Sequence, residues 1–311
     1  MIKIEVIKTV ELEKIYAGKS KVHALNRINL TIKKGEIYTL LGPNGAGKTT
    51  FLRIIATQLM PTRGTAYIFN YDVVRDAEKI REHIAVVPQD IATYGNFTPW
   101  DYVYYFSRLR GFSKEKTKYN GEIALKSVQL WNLKDRTCDT LSGGEKKRAI
   151  IACALASDAD ILMLDEPTSG LDAIARRAVW GALRELVNKG KTILLTTHIM
   201  EEADFISDRL AIINRGQVIV NGTPEKIKSM IPERFRVVVQ GNAEDVSQLN
   251  NGNRTTKFGD KQIIYVKDYN EALEIVGTAL KNSLKAEVSP ITLEDVFVKI
   301  VGEVFPDEKN P

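Results

Sequence analysis

One stretch constrains this chain more than any other: Gly42-Pro43-Asn44-Gly45-Ala46-Gly47-Lys48-Thr49. It fits the pattern Gly-x-x-x-x-Gly-Lys-Ser/Thr and stands between a strand-like run, Glu36 to Leu41, and a helix-like one, Thr49 to Leu59. Glycines there let backbone N–H groups turn inward around an anion, and the helix N-terminus adds its positive end. Lys48 is placed to reach β- and γ-phosphates, and the Thr49 hydroxyl to ligate Mg²⁺. The bland reading is a glycine-rich turn that caps a helix. A chance match of the fixed positions arises in roughly one chain in a hundred of this length, so the phosphate loop is the stronger expectation.

A second signal is Ile161-Leu162-Met163-Leu164-Asp165-Glu166, an apolar strand ending in two carboxylates. In parallel sheets, ligands bind at the carboxyl ends of the strands. Asp165 is then expected to hold Mg²⁺, directly or through its water. Successive strand residues point to opposite sides, which leaves Glu166 free to orient and deprotonate an attacking water. Two more residues fall near strand ends: Gln89 after Ile84–Val87, and His198 after Thr192–Thr197. Neither carries meaning alone. For His23 and His83 a structural role is the expectation.

The third signal is Leu141-Ser142-Gly143-Gly144-Glu145-Lys146-Lys147-Arg148, which opens a helix running to about Ala156. Ser142 with Glu145 three residues on is a capping box. Two glycines in a first turn cost about 1 kcal/mol each against alanine, and close approach of an anion to bare N–H groups is one reason to carry them.

Around these motifs the chain reads as α/β. Ile2, Ile4 and Val6 alternate, as do Ile28, Leu30 and Ile32, so the first 40 or so residues read as short strands. About Ile91 to Ala156 is mainly helical, with Thr98-Pro99-Trp100-Asp101 as a helix start. From Asp160 strands and helices alternate, which points to a parallel sheet with covered faces. A break near Met230-Ile231-Pro232 sets off a tail with strand runs Phe235–Val239 and Gln262–Val266, a helix over Glu271–Lys281, a short strand and a helix from Thr292. The expected division is 1–230 and a small α+β domain, 231–311.

Composition removes whole classes. With 44% apolar and 27% charged residues the chain is neither disordered nor fibrous. Cys138 and Cys153 are the only cysteines, too few for a disulfide framework and wrongly spaced for a metal site. The longest run without Asp, Glu, Lys or Arg is the eleven residues Ile37–Gly47, far short of the ~20 a spanning helix needs. A soluble protein is expected, with membrane association only through a partner. The net charge of +5 is spread along the chain and demands no nucleic acid.

Taken in order, these motifs resemble the nucleotide-binding subunit of ATP-binding cassette (ABC) transporters. Leu141-Ser142-Gly143-Gly144 resembles that family's signature, lying between Gln89 and the Asp165-Glu166 strand. The resemblance covers residues 1 to about 230. It implies a P-loop NTPase (RecA-like) core with an antiparallel β subdomain and a helical signature subdomain over about 91–156. It implies that ATP and Mg²⁺ are bound by Gly42 to Thr50 and that Tyr16 stacks on adenine. Gln89 would sense the γ-phosphate and metal, and His198 would contact the γ-phosphate. Glu166, His198, Gln89 and Lys48 are the catalytic set it implies, and Thr49, Gln89 and Asp165 the metal set. Ser142, Gly143 and Gly144 would meet ATP held by a second subunit in a head-to-tail dimer, expected to be a homodimer. Ser169-Gly170-Leu171-Asp172 would communicate across it. One departure is Glu145, where the common signature has Gln.

The tail Ser289-Pro290-Ile291-Thr292-Leu293-Glu294-Asp295-Val296-Phe297 is similar to the end of drug-resistance and ABC-2-type exporter ATPases. An integral membrane permease is then the implied partner, with the chain cytoplasmic and peripheral on the inner face of the membrane. Tyr94, Phe97, Trp100 and Tyr102 are the expected docking surface, although rings there could equally fill the helical subdomain. Two rivals stay open at this point: a soluble ABC ATPase acting on nucleic acid or ribosomes, and a regulatory subunit that binds ATP without turnover.

Overall fold

The computed structural model describes residues 4–18, 21–90, 93–241, 249 and 252–304, so Ile2 and Ile91 lie outside the described residues. The chain divides into two compact units, Met1–Gly222 and Thr223–Pro311.

The first unit opens on β1 (Glu5–Tyr16), a single 12-residue strand where the sequence suggests several short ones. It changes partner along its length, taking β2 (Val22–Ile28) at one end and β3 (Thr31–Lys33) at the other, with Glu11 at φ +46° between them. Strand β4 (Ile37–Leu41) follows, then helix α1 (Lys48–Ile55), β5 (Arg63–Ile68) and β6 (Tyr71–Asp72). The outer sheet is antiparallel, in the order β2-β1-β5-β6 with β3 on β1.

Next come α2 (Ala77–His83), β7 (Ile84–Val87) and the helices α3 (Pro99–Leu109), α4 (Lys114–Ser127) and α5 (Gly143–Ala156). The unit closes with β8 (Ile161–Asp165), α6 (Ala173–Asn188), β9 (Thr192–Thr197), α7 (Met200–Ile206), β10 (Arg209–Asn214) and β11 (Gln217–Gly222). The central sheet runs β11-β10-β4-β9-β8-β7, parallel except for β11. Strands β4, β8 and β9 are buried at every residue, as expected where helices cover both faces.

Alternation along β8 decides which side chains meet. Ile161 and Met163 join the cluster holding Phe51 and Leu52 of α1, while Leu162 and Leu164 join the one holding Ala149 and Ile151 of α5. Period two then puts Asp165 on the α1 side. The same holds in β9, where Leu194 faces α1 and Ile193 and Leu195 face away, so Thr196 joins Asp165, its register partner.

The expected helix start at Thr98 is a complete capping box: Thr98 Oγ1 accepts from the Asp101 N–H at 3.0 Å, and Asp101 Oδ2 accepts from the Thr98 N–H at 2.9 Å. Of the four rings expected at a docking surface, Tyr94 is 70% exposed but Tyr102 is buried, and Phe97 and Trp100 pack on the core. The exposed apolar side chains of α3 are instead Tyr105, Phe106 and Leu109.

The second unit holds α8 (Pro224–Lys228), β12 (Phe235–Gln240), β13 (Arg254–Phe258), β14 (Lys261–Val266), α9 (Tyr269–Lys281), β15 (Lys285–Pro290) and α10 (Leu293–Val304). Its antiparallel sheet runs β13-β14-β12-β15. Val237, Val239, Ile264 and Val266 pack against Ala272, Ile275 and Ala279 of α9. Asp295 accepts from the Tyr265 hydroxyl at 3.0 Å and the Thr292 N–H at 2.7 Å, tying α10 to β14 and to its own start. No described helix is long and apolar enough to cross a membrane.

Candidate functional site

Four neighbouring parallel strands end together. Leu41 is level with Thr197, Thr196 with Asp165, and Leu164 with Val87. The segments leaving them carry the phosphate loop, His198, Glu166 and Gln89. Strand order, not chain order, makes these residues neighbours.

In the loop, Ala46 N–H donates to Pro43 O at 3.3 Å and Gly216 N–H to Ala46 O at 3.0 Å, which pins the loop to the turn between β10 and β11. Gly47 is at φ +106° and forms the N-cap of α1, with no side-chain cap and no acid in the first turn. Helices α3, α4, α5, α6 and α8 are each capped by a Thr, Ser or Asp side chain. The first-turn N–H groups of α1 thus keep their capacity to bind an anion.

Lys48 is 5% exposed, and its Nζ donates to Gly42 O at 2.8 Å and Pro43 O at 3.0 Å. Burial pushes its ammonium below the usual range, while the Glu166 carboxylate 3.5 Å away pulls it back up. Glu166 is the hub. Its Oε2 accepts from Gln89 Nε2 at 3.4 Å and lies 3.1 Å from His198 Nδ1. Its backbone sits at φ +47°, a costly region for a residue with a side chain, held by its N–H donating to Thr196 O and Oγ1, both at 3.1 Å. Asp165 Oδ1 accepts from Thr196 Oγ1 at 2.5 Å.

A cleft of about 270 Å³ runs along the loop, lined by Val22, His23, Asn44, Gly45, Thr49, Thr50, Gln89 and Glu166 among others. Tyr16 stands beside the loop, its hydroxyl 3.4 Å from Thr50 Oγ1 and its ring 5.3 Å from the Lys14 ammonium. His83 Nδ1 donates to Asp160 Oδ2 at 2.7 Å, a structural pairing. His23 was expected to be structural but lines the cleft. Nothing in a lone histidine on β2 signals that, because β2 reaches the loop only through tertiary packing.

Ser142 and Gly143 are exposed at the start of α5. Ser142 N–H donates to Glu145 Oε2 at 2.7 Å and Glu145 N–H to Ser142 Oγ at 3.3 Å, so Glu145 completes the capping box that Gln would also satisfy. The glycines differ. A Cβ on Gly143 would meet nothing within 4 Å, whereas on Gly144 it would lie 3.2 Å from Leu171 Cδ2. Gly143 leaves the helix start open; Gly144 lets α5 pack on the 169–172 loop. Asp172 caps α6, its Oδ1 accepting from the N–H groups of Ile174 and Ala175, both at 2.9 Å. Lys147 and Thr196 had no sequence signal, yet both grip the Glu166 turn.

The cap carries a pH prediction. The Ser142 N–H holds the Glu145 carboxyl below its ordinary range, so folding favours the charged form. That contribution is full above about pH 5 and is lost as pH falls through about 4 and below. Ser142→Ala should lower the neutral-pH melting temperature by about 3 °C, from about 1 kcal/mol of lost cap. Glu145→Gln keeps the hydrogen bond but not the charge, so it should lower the neutral-pH value slightly and flatten the acid limb; an unchanged acid limb in thermal scans between pH 7 and 3.5 would refute the assignment.

This fold and this site define a P-loop ATPase. A family model described as ABC transporter matches residues 25–169. The chain is 36% identical over 303 residues to the Nod factor export ATP-binding protein I of Burkholderia orbicola, covering 95% of this chain and 97% of that protein. It is 38% identical over 225 residues to the daunorubicin/doxorubicin resistance ATP-binding protein DrrA of Streptomyces peucetius, covering 72% of this chain and 67% of that protein. It spans only 36% of ABC transporter A family member 7 of Dictyostelium discoideum, a further relative. Among solved structures, the dimeric ATP-binding cassette MJ0796 in a post-hydrolysis state with ADP and Pi superposes with a TM-score of 0.65 at 30% identity, over 70% of this chain and 98% of that one. The chain belongs to the ABC transporter family, as one of its ATP-hydrolysing cassettes.

Proposed function

We propose that two copies of this chain close head to tail around ATP and use its hydrolysis to drive export through a separate membrane-spanning partner. The observation that carries the reading is the convergence of Lys48, Gln89 and His198 on one buried carboxylate, Glu166. Gly42, Pro43, Asn44, Gly45, Ala46, Gly47, Thr49 and Thr50 form the phosphate cradle, Lys48 takes the β- and γ-phosphates, and Tyr16 stacks on adenine. Glu166 orients the attacking water and accepts its proton, and Gln89 and His198 bracket the γ-phosphate. Ser142, Gly143 and Gly144 present an open helix start to the partner's triphosphate, with Asp172 at the facing loop.

Among the described residues no three His, Cys, Asp or Glu side chains converge as a metal cage. Mg²⁺ does not need one: it binds one or two carboxylates plus substrate phosphates and water. The all-oxygen set of Thr49, Gln89 and Asp165 fits that habit. When bound, the ion neutralises charge building on the phosphates.

The unit ending at Gly222 acts as the nucleotide-binding domain and the unit from Thr223 as an accessory domain, a division eight residues before the break expected at 230. The exposed Tyr94, Tyr105, Phe106 and Leu109 are the face offered to the membrane partner, which holds the chain at the cytoplasmic surface of the membrane. Exposed apolar clusters of this kind mark interaction sites.

Complementation tests the shared site. Lys48→Ala and Ser142→Arg each abolish hydrolysis alone. Mixed together they recover it, because the mixed dimer joins the intact Lys48 of one subunit to the intact Ser142 of the other. Mixtures as inactive as their components would remove the head-to-tail arrangement.

A further inference from the structure

Lys147 lies on α5, five residues beyond Ser142 and about 7.5 Å further along the same rigid helix. Its ammonium is spent on main chain: Nζ donates to Glu166 O at 2.7 Å and to Ser169 O at 3.2 Å. The only other donor described on the Glu166 carbonyl is the Ser169 N–H, at 3.4 Å. Lys147 therefore supplies the stronger hold on a peptide plane that is otherwise unfavourable, since Glu166 sits at φ +47°. That plane aims the carboxylate at Lys48, Gln89 and His198.

The same turn is fixed from elsewhere at other points. Thr196 holds the Glu166 N–H, and Thr168 Oγ1 donates to the buried Glu202 at 2.6 Å, which also accepts from Trp180 Nε1 at 2.9 Å. Those ties come from β9, α6 and α7. Only Lys147 among them comes from the helix whose start is exposed at Ser142. Burial lowers the Lys147 pKa, and the carboxylates of Glu166, Glu202, Asp165 and Asp90 raise it.

We infer that Lys147 is a positioning residue that couples the two halves of the dimeric site: it ties the helix start offered to the partner's nucleotide to the turn carrying this subunit's own general base. The inference rests on the head-to-tail reading above. Where the helix start is drawn onto a triphosphate, the carbonyls of Glu166 and Ser169 are drawn with it, so that filling the neighbouring site bears on how firmly the carboxylate is held.

The test is steady-state ATPase on the full chain as Lys147→Met, Lys147→Gln and Lys147→Arg, with melting temperatures. Misplacement of a reacting group by about 1 Å costs up to 10²-fold, so Lys147→Met should lower kcat about 10- to 100-fold. KM for ATP should stay within about twofold, because a positioning loss spares ground-state binding. Lys147→Arg keeps charge and donors and should recover most of kcat. Lys147→Gln, with an uncharged and shorter donor group, should fall between them, and it carries the comparison with Arg if the Met variant does not fold. An unchanged kcat in Met or Gln, or an equal loss in Arg and Met, overturns the role. Glu166→Gln run alongside separates the two readings. Wild-type turnover in that variant sinks the base assignment, whereas its expected collapse beside a fully active Lys147→Met sinks only the coupling.

Discussion

Glu166→Gln is expected to lower ATP turnover by 100-fold or more while leaving ATP binding intact. The substitution preserves shape and removes the charge and the proton-accepting oxygen, and a positioned general base is worth about 10²- to 10⁴-fold. Binding should persist because the function proposed above gives the phosphate contacts to Lys48 and the loop, not to Glu166. It should even tighten, since one negative charge leaves the neighbourhood of the γ-phosphate; Glu166 Oε1 lies 3.5 Å from Lys48 Nζ and competes for it. The variant should therefore accumulate as a dimer when ATP is added, visible by light scattering, and remain monomeric with ADP. Hydrolysis at the unmodified rate would mean that another group activates water.

Gly47→Ala should unfold the first unit far more readily than the chemically identical Gly45→Ala. At Gly47 a Cβ would stand 2.3 Å from Ala24 O and 3.0 Å from Leu25 Cδ2, on backbone at φ +106°. At Gly45 the φ is +79° but nothing lies within 4 Å, so only conformational strain is felt. Strain and overpacking together should cost Gly47→Ala about 3 kcal/mol or more, and strain alone about 1–2 kcal/mol at Gly45. For a unit of this size the melting temperature falls by roughly 2–4 °C per kcal/mol, which puts the two variants several degrees apart. ATP affinity should fall with Gly47→Ala as well, because the clash pushes the start of α1 away from β2, whose Val22, His23 and Ala24 line the cleft. Equal melting temperatures for the two variants would contradict the loop geometry.

Much of the site was legible because its motifs are local. The phosphate loop, the Ser142–Glu145 cap, the Thr98–Asp101 cap and the Asp165-Glu166 strand end each encode their geometry within a few consecutive residues, and each is found where its pattern stands. The aromatic segment misled. Tyr94, Phe97, Trp100 and Tyr102 are close in sequence, but burial follows what packs on each turn: Tyr102, Tyr105, Phe106 and Leu109 share one face of α3 at i, i+3, i+4 and i+7, and of these Tyr102 is buried while Tyr105, Phe106 and Leu109 stay outside. Strand β13 escaped for a related reason: Arg254–Phe258 is short and polar and acquires its pairing only from β14.

Residue order alone pointed to a glycine-rich loop between a strand and a helix, two carboxylates at a strand end and a capped helix start with two glycines, because backbone dihedrals and near-neighbour hydrogen bonds suffice to write them. Which side chains converge was settled by the strand order β4-β9-β8-β7 and its register, which carry Gln89, Glu166 and His198 across 109 residues of chain to one carboxyl edge. Lys147 belongs wholly to that second category. A lysine on a helix looks like solvent-facing charge until packing brings two distant carbonyls beneath it, and no spacing rule records a contact made between main chain and side chain across a fold.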